Sequence, residues 1–165
     1  IEDQSGNVIY QPISETKDVF NKDIAYTMIS LLKGVTESGS GVRLRHNWMV
    51  DNPVYNEVVT GYPYEFKNPI AGKTGTTQNQ SDGWFMGMVP NLATGVWVGA
   101  EDRSVHFDNI TFGQGATMAL PIWANYMRKN YTDSIGVSAD DFARPEGLKL
   151  NLNCNETILR EEKIE

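Results

Sequence analysis

Cysteine and histidine are scarce in this chain. The one thiol, Cys154, excludes an internal disulfide. His46 and His106 lie far apart, and no Cys, His or Asp grouping has the spacing of a metal site. Basic residues are the minority, 14 against 21 acidic, and the net charge of −7 argues against a nucleic-acid surface and for solubility. No apolar run reaches the ~20 residues needed to cross a bilayer, and no signal segment is visible. An initiator methionine is also missing, because the chain opens at Ile1 inside a strand-like run. The expectation is a processed or excised piece of a longer protein, with any leader or membrane anchor upstream.

What is present suffices for one core. A hydrophobic content of 40% over 165 residues makes a single domain the default. Residues 1–11, "IEDQSGNVIYQ", read as a hairpin turning at Gln4-Ser5-Gly6-Asn7. Asn21 is placed to cap a helix in which Ile24, Ala25, Met28, Ile29, Leu31, Leu32 and Val35 recur at a period near 3.6, with Gly34 as its stop. "TESGSG" follows as a loop, and residues 42–67 read as a long connection with at most one short strand.

Three strands are then predicted at 70–77, 83–89 and 94–100, joined by turns short enough for antiparallel neighbours. Residues 116–131 read as a helix that Pro121 either opens or kinks. Beyond Thr132 the chain is polar, with "GLKLNLN" as a candidate added strand. The expected fold is α+β, an antiparallel sheet flanked by helices, with residues 1–131 as the domain and 132–165 as a polar C-terminal extension.

The first strand breaks the local rules. "NPIAGKTGTT" places Lys73 and two glycines where β-formers are expected, and such conflicts concentrate at functional sites. Gly75 lets an extended peptide approach and pair with the strand. Lys73 supplies a positive charge, and Thr74 and Thr76 supply hydroxyl donors that suit a peptide carboxylate. The Thr76 backbone N–H is placed to stabilise an oxyanion. A lone Lys-Thr-Gly arises often by chance, so its weight comes from the approach "PIAG", the continuation "TT" and the aromatic strand after the turn.

"PIAGKTGTT…SDGWFMGMVPNLATGVWVGAEDR" resembles the third motif of the penicillin-binding proteins and the strands after it. "TGVWVGAEDR" and "ALPIWANYM" resemble the bifunctional, class A members. The likeness runs over residues 1–131, is specific from Pro69 to Arg103, and leaves His46 to Phe66 unmatched. It implies the C-terminal portion of a serine β-lactamase-like transpeptidase domain that cross-links stem peptides ending in D-alanyl-D-alanine. It further implies an upstream glycosyltransferase and a place on the periplasmic face of the inner membrane, anchored by upstream sequence. The implied partners are peptidoglycan stem peptides, lipid II-derived glycan strands, β-lactams and the rest of the same domain. No cofactor, metal or nucleic acid is implied. By resemblance Lys73 and the Thr76 N–H are catalytic, while Thr74, Gly75 and Thr76 bind substrate.

The family pattern also demands a Ser-x-x-Lys at a helix N-terminus and then a Ser-x-Asn before Lys-Thr-Gly. Ser30-Leu31-Leu32-Lys33 matches the first string, but deep inside a helix, with Leu31 and Leu32 expected to face the core. Ser5-Gly6-Asn7 matches the second, but in a turn and in the wrong order. Both are read as structural, leaving the chain without its nucleophile and inactive alone. Two alternatives remain, a β-lactamase-like piece and a non-catalytic wall- or peptide-binding module. "VWVGAEDR" and the polar tail count against the first, and an upstream Ser-x-x-Lys would count against the second. Glu101 and Asp102 open a polar loop, Trp84, Trp97 and Trp123 suit core or sheet packing, and Asn155-Glu156-Thr157 carries no weight as a glycosylation string.

Overall fold

The structure, a computed structural model, describes residues 1–12, 17–46, 63–133 and 135–148. "GLKLNLN" beyond Leu148, Cys154 and Asn155-Glu156-Thr157 lie outside the described residues.

Near the start, Glu2 and Val8 form the expected antiparallel bridge. Asp3 Oδ1 accepts the N–H groups of Ser5 and Asn7 at 2.8 and 2.9 Å, and Gly6 supplies the positive φ of +83° that the turn requires. Helix α1 spans Lys22–Glu37, and its Asn21 cap accepts the Ile24 N–H at 2.8 Å. Gly34 does not end it. The helix runs on to Glu37, and the N–H groups of Ser38 and Gly39 close on the Gly34 carbonyl. Tertiary contact overrides the glycine here, because fully buried Thr36 donates its hydroxyl to the Ile70 carbonyl at 2.6 Å. Leu31 corrects a second expectation. It is 64% exposed and faces away from the core, as do Ile24 and Met28 on the same side.

A 3-10 turn at Val42–Leu44 leads towards the sheet. Strands β1 (Ala71–Thr76), β2 (Asp82–Val89) and β3 (Leu92–Gly99) form an antiparallel meander in that order. Pro90 and Asn91 make the tight β2–β3 turn, and a 3-10 turn at Gln78–Gln80, with Asn79 and Gln80 at positive φ, joins β1 to β2. Short helices α2 (Ile110–Gly113) and α3 (Gly115–Met118) precede α4 (Leu120–Thr132), which Pro121 opens rather than kinks. The single helix expected over 116–131 is thus divided, with Ala119 between α3 and α4.

Register sorts the sheet faces. Thr74 pairs with Phe85 and Phe85 with Val96, so these share a face with Thr76, Gly87 and Val89. This face receives α3 and α4, and fully buried Trp123 stands edge-on to Phe85, 5.1 Å between centroids. Its ring takes the space a side chain at Gly87 would need, and its Nε1 donates to Thr94 Oγ1 at 2.7 Å. On the other face Trp84, Met86 and Trp97 stay 44–48% exposed.

Trp123→Ala should therefore cost about 3–5 kcal/mol. Chemical denaturation checks this, and the expected result is a lower midpoint with an unchanged slope.

Candidate functional site

Strand β1 lies at one edge of the sheet. The Thr77 N–H donates to the Asp82 carbonyl at 3.0 Å, so residue 77 points its backbone groups at the neighbouring strand. Alternation then turns the backbone groups of Thr76 and Thr74 outward. The Thr74 carbonyl agrees, since it accepts Lys73 Nζ at 2.7 Å. Among the described residues no strand pairs with this outer edge. The Thr76 N–H thus faces the open side, beside one ammonium and two threonine hydroxyls.

Lys73, Thr74, Gly75 and Thr76 are contiguous here and at least partly exposed. Side chains alternate, so Thr74 and Thr76 lie on the face of Phe85 while Lys73 and Gly75 lie on that of Trp84. A Cβ at Gly75 would sit 3.2 Å from the Trp84 Cβ. The Thr74 hydroxyl lies 2.6 Å from Ser40 Oγ, and Thr76 Oγ1 accepts the Gly115 N–H at 2.9 Å.

Several supporting residues escaped the sequence reading. Gly115 lies so close to the β1–β2 ladder that a Cβ would meet the Gly75 and Trp84 carbonyls. Buried Arg43 donates to the Ala116 carbonyl and Thr117 Oγ1 at 3.1 and 2.8 Å, tying the 3-10 turn to α3. Arg45 reaches the Phe66 and Asn68 carbonyls and Thr36 Oγ1, bracing the approach to β1. Burial pulls its guanidinium below the usual arginine value, with Glu37 opposing. Tyr131 is pushed up by burial, against the opposing Asn68 bond and the Arg45 charge. Two arginines inside a segment read as patternless were the available signal, because arginine is buried only where it is paired.

Asp82 fixes the turn beyond Thr76. Its Oδ1 accepts Trp97 Nε1 at 3.1 Å, its Oδ2 accepts the hydroxyls of Thr77 and Ser81, and Arg103 Nε stands 3.7 Å away. Burial raises the carboxyl, but the bonds from Trp97, Thr77 and Ser81 and the Arg103 charge outweigh it and hold the group below the usual carboxylate range.

The two motif look-alikes sit elsewhere. Ser30 lies inside α1 and donates its hydroxyl to the Tyr26 carbonyl at 2.9 Å, while Lys33 Nζ bonds both Asp141 oxygens at 2.8 and 3.0 Å. Ser5-Gly6-Asn7 occupies the N-terminal turn. Asp102 caps its loop through the Ser104 N–H, which lowers its pKa. Among the described residues no three His, Cys, Asp or Glu side chains converge as metal ligands, and no helix is long and apolar enough to cross a membrane.

Comparison with known proteins agrees with the resemblance. The chain is 28% identical over all 165 residues to penicillin-binding protein 1A of Aquifex aeolicus, spanning 19% of that protein. It is 36% identical over 106 residues to penicillin-binding protein 1A of Pseudomonas aeruginosa, 62% of this chain and 10% of that one. Over 62 residues it is 42% identical to the protein of the same name from Neisseria meningitidis, 38% of this chain and 7% of the relative. No family model matches the chain. The similarity to proteins named penicillin-binding protein 1A therefore runs along the whole sequence, and the described residues form the expected α+β arrangement, a three-stranded antiparallel sheet flanked by helices. The chain spans about a fifth of the length of the Aquifex relative.

Gly115→Ala should cost about 1–3 kcal/mol by overpacking and shift the Thr76 resonances, read by denaturation and by NMR. For Asp82, the stability that comes from a lowered carboxylate pKa is fully present above the unfolded value of about 4 and is lost as pH falls through the folded one. The stability gap between wild type and Asp82→Asn should therefore be widest near neutrality and narrow below about pH 4 in pH-resolved denaturation.

Proposed function

From this resemblance we propose that the chain is part of a peptidoglycan D,D-transpeptidase, the C-terminal portion of its transpeptidase domain over residues 1–131, followed by a polar extension over 132–165. The observation that carries the reading is the outer edge of β1, unpaired among the described residues, where the Thr76 N–H points outward beside Lys73, Thr74 and Thr76. A stem peptide laid along this edge pairs with outward backbone groups as an added strand. Its terminal carboxylate meets the hydroxyls of Thr74 and Thr76, with the Lys73 ammonium adding charge. The carbonyl under attack takes the Thr76 N–H as oxyanion donor. β-Lactams enter as mimics of the same peptide end.

In this reading the nucleophilic serine comes from another part of the parent protein. Ser30 supports that view, because its hydroxyl is bonded inside a helix and Lys33 is turned to Asp141. Ile24, Met28 and Leu31 on α1 and Trp84, Met86 and Trp97 on the sheet form apolar surfaces suited to the rest of the domain. The parent couples cross-linking to glycan polymerisation on lipid II-derived strands, at the periplasmic face of the inner membrane.

Incubation with a fluorescent penicillin, followed by denaturing electrophoresis, tests the assignment. The 165-residue chain alone should show no covalent band, and a longer chain that includes an upstream Ser-x-x-Lys should show one. A band mapped to Ser30 would overturn it, as would a longer chain that fails to label.

A further inference from the structure

We propose that Ser40 is a positioning residue that makes the Thr74 hydroxyl a donor towards an incoming carboxylate; this rests on the reading of β1 as a carboxylate-binding strand. A carboxylate only accepts hydrogen bonds, whereas a hydroxyl has one proton to give. A threonine whose proton is spent on a protein acceptor is of no use to such a ligand. The site is therefore best served where the group behind each threonine oxygen donates to it rather than accepts from it, which orients the threonine proton outward.

Thr76 meets that condition through Gly115. The backbone N–H at 2.9 Å occupies the acceptor side of Thr76 Oγ1 and can itself only donate, so the Thr76 proton stays available. For Thr74 the group behind is Ser40, whose Oγ lies 2.6 Å from Thr74 Oγ1. With Ser40 donating, the Thr74 proton turns outward and both threonines present O–H groups to the same ligand. The series Ser40 to Thr74 to carboxylate is a hydrogen-bonded chain in which each bond polarises the next.

The position of Ser40 is set by backbone geometry. Its loop leaves α1 with the Ser38 and Gly39 N–H groups on the Gly34 carbonyl and the Gly41 N–H on the Val35 carbonyl at 2.9 Å. Gly39 passes so near Val35 that a Cβ would lie 2.9 Å from its Cα. Thr36 pins the same turn to Ile70 at the start of β1. Ser40 is thus held against the strand by helix and sheet together. A bond that merely fastened the loop would not distinguish one peptide end from another, and this difference separates the two roles.

The test is an amide-shift titration of the 165-residue chain with acetyl-D-alanyl-D-alanine and, separately, its C-terminal amide, read at Lys73 to Thr76. Wild type should prefer the acid. Ser40→Ala, and Ser40→Cys with its similar size and weak donor, should lose roughly tenfold on the acid and little on the amide. Ser40→Thr should restore the preference. If Ser40→Ala fails to fold, the Cys and Thr variants decide between them. Unchanged preference in Ser40→Cys overturns the role of Ser40 while leaving the strand reading intact. Absence of shifts in wild type overturns the strand reading itself, and the proposal with it.

Discussion

The site depends on one close approach, that of Gly115 to the β1–β2 ladder. Its missing side chain lets the start of α3 rest on the carbonyls of Gly75 and Trp84, and this nearness delivers the N–H that fixes Thr76 Oγ1. Gly83 deepens the same fit, since a Cβ there would collide with Met118. A glycine is weak in both helix and strand by propensity, and here the close contact it permits outweighs that weakness. The edge strand keeps its shape because the support lies behind it, and among the described residues no strand lies on its outer side.

Around that contact the fold assigns work to segments without regular structure. Arg43 and Arg45 reach in opposite directions from one 3-10 turn, the first to α3 and the second to the approach of β1 and to Thr36. Bonds from a guanidinium to carbonyls and hydroxyls fix the orientation of the segments they join, while desolvation of the charge offsets part of what they contribute. Asp82 does the same beyond the strand, accepting from Trp97, Thr77 and Ser81. The residues 71–76 are thereby fixed at both ends by polar contacts, while the apolar core around Trp123 lies beneath them.

Much of this was legible in the residues. Alternation and turn chemistry placed β1, β2 and β3 to within two residues of their observed ends, and Asn21 marked the start of α1. The motif drew attention to Lys73–Thr76, and the structure gathers those residues on one accessible edge. What escaped was non-local. Gly34 looks like a helix stop until Thr36 is seen bonded to Ile70, a contact across 34 positions. Leu31 fits the apolar period, yet the period cannot say which flank of a broad stripe meets the sheet. Ser40 and Gly115 carried no local mark, because each acts through a partner far away in sequence.

The ammonium resting on the Thr74 carbonyl has a consequence for strand pairing itself. A bare sheet margin is a template on which any stray extended chain can nucleate, and a glycine-bearing one is flat enough to invite register errors. By occupying an outward acceptor with a solvated cation, Lys73 makes strand addition costly here, since the added chain must displace the ammonium from the Thr74 carbonyl and desolvate it. A lysine on an edge strand is in this way a sentry against fibrous growth.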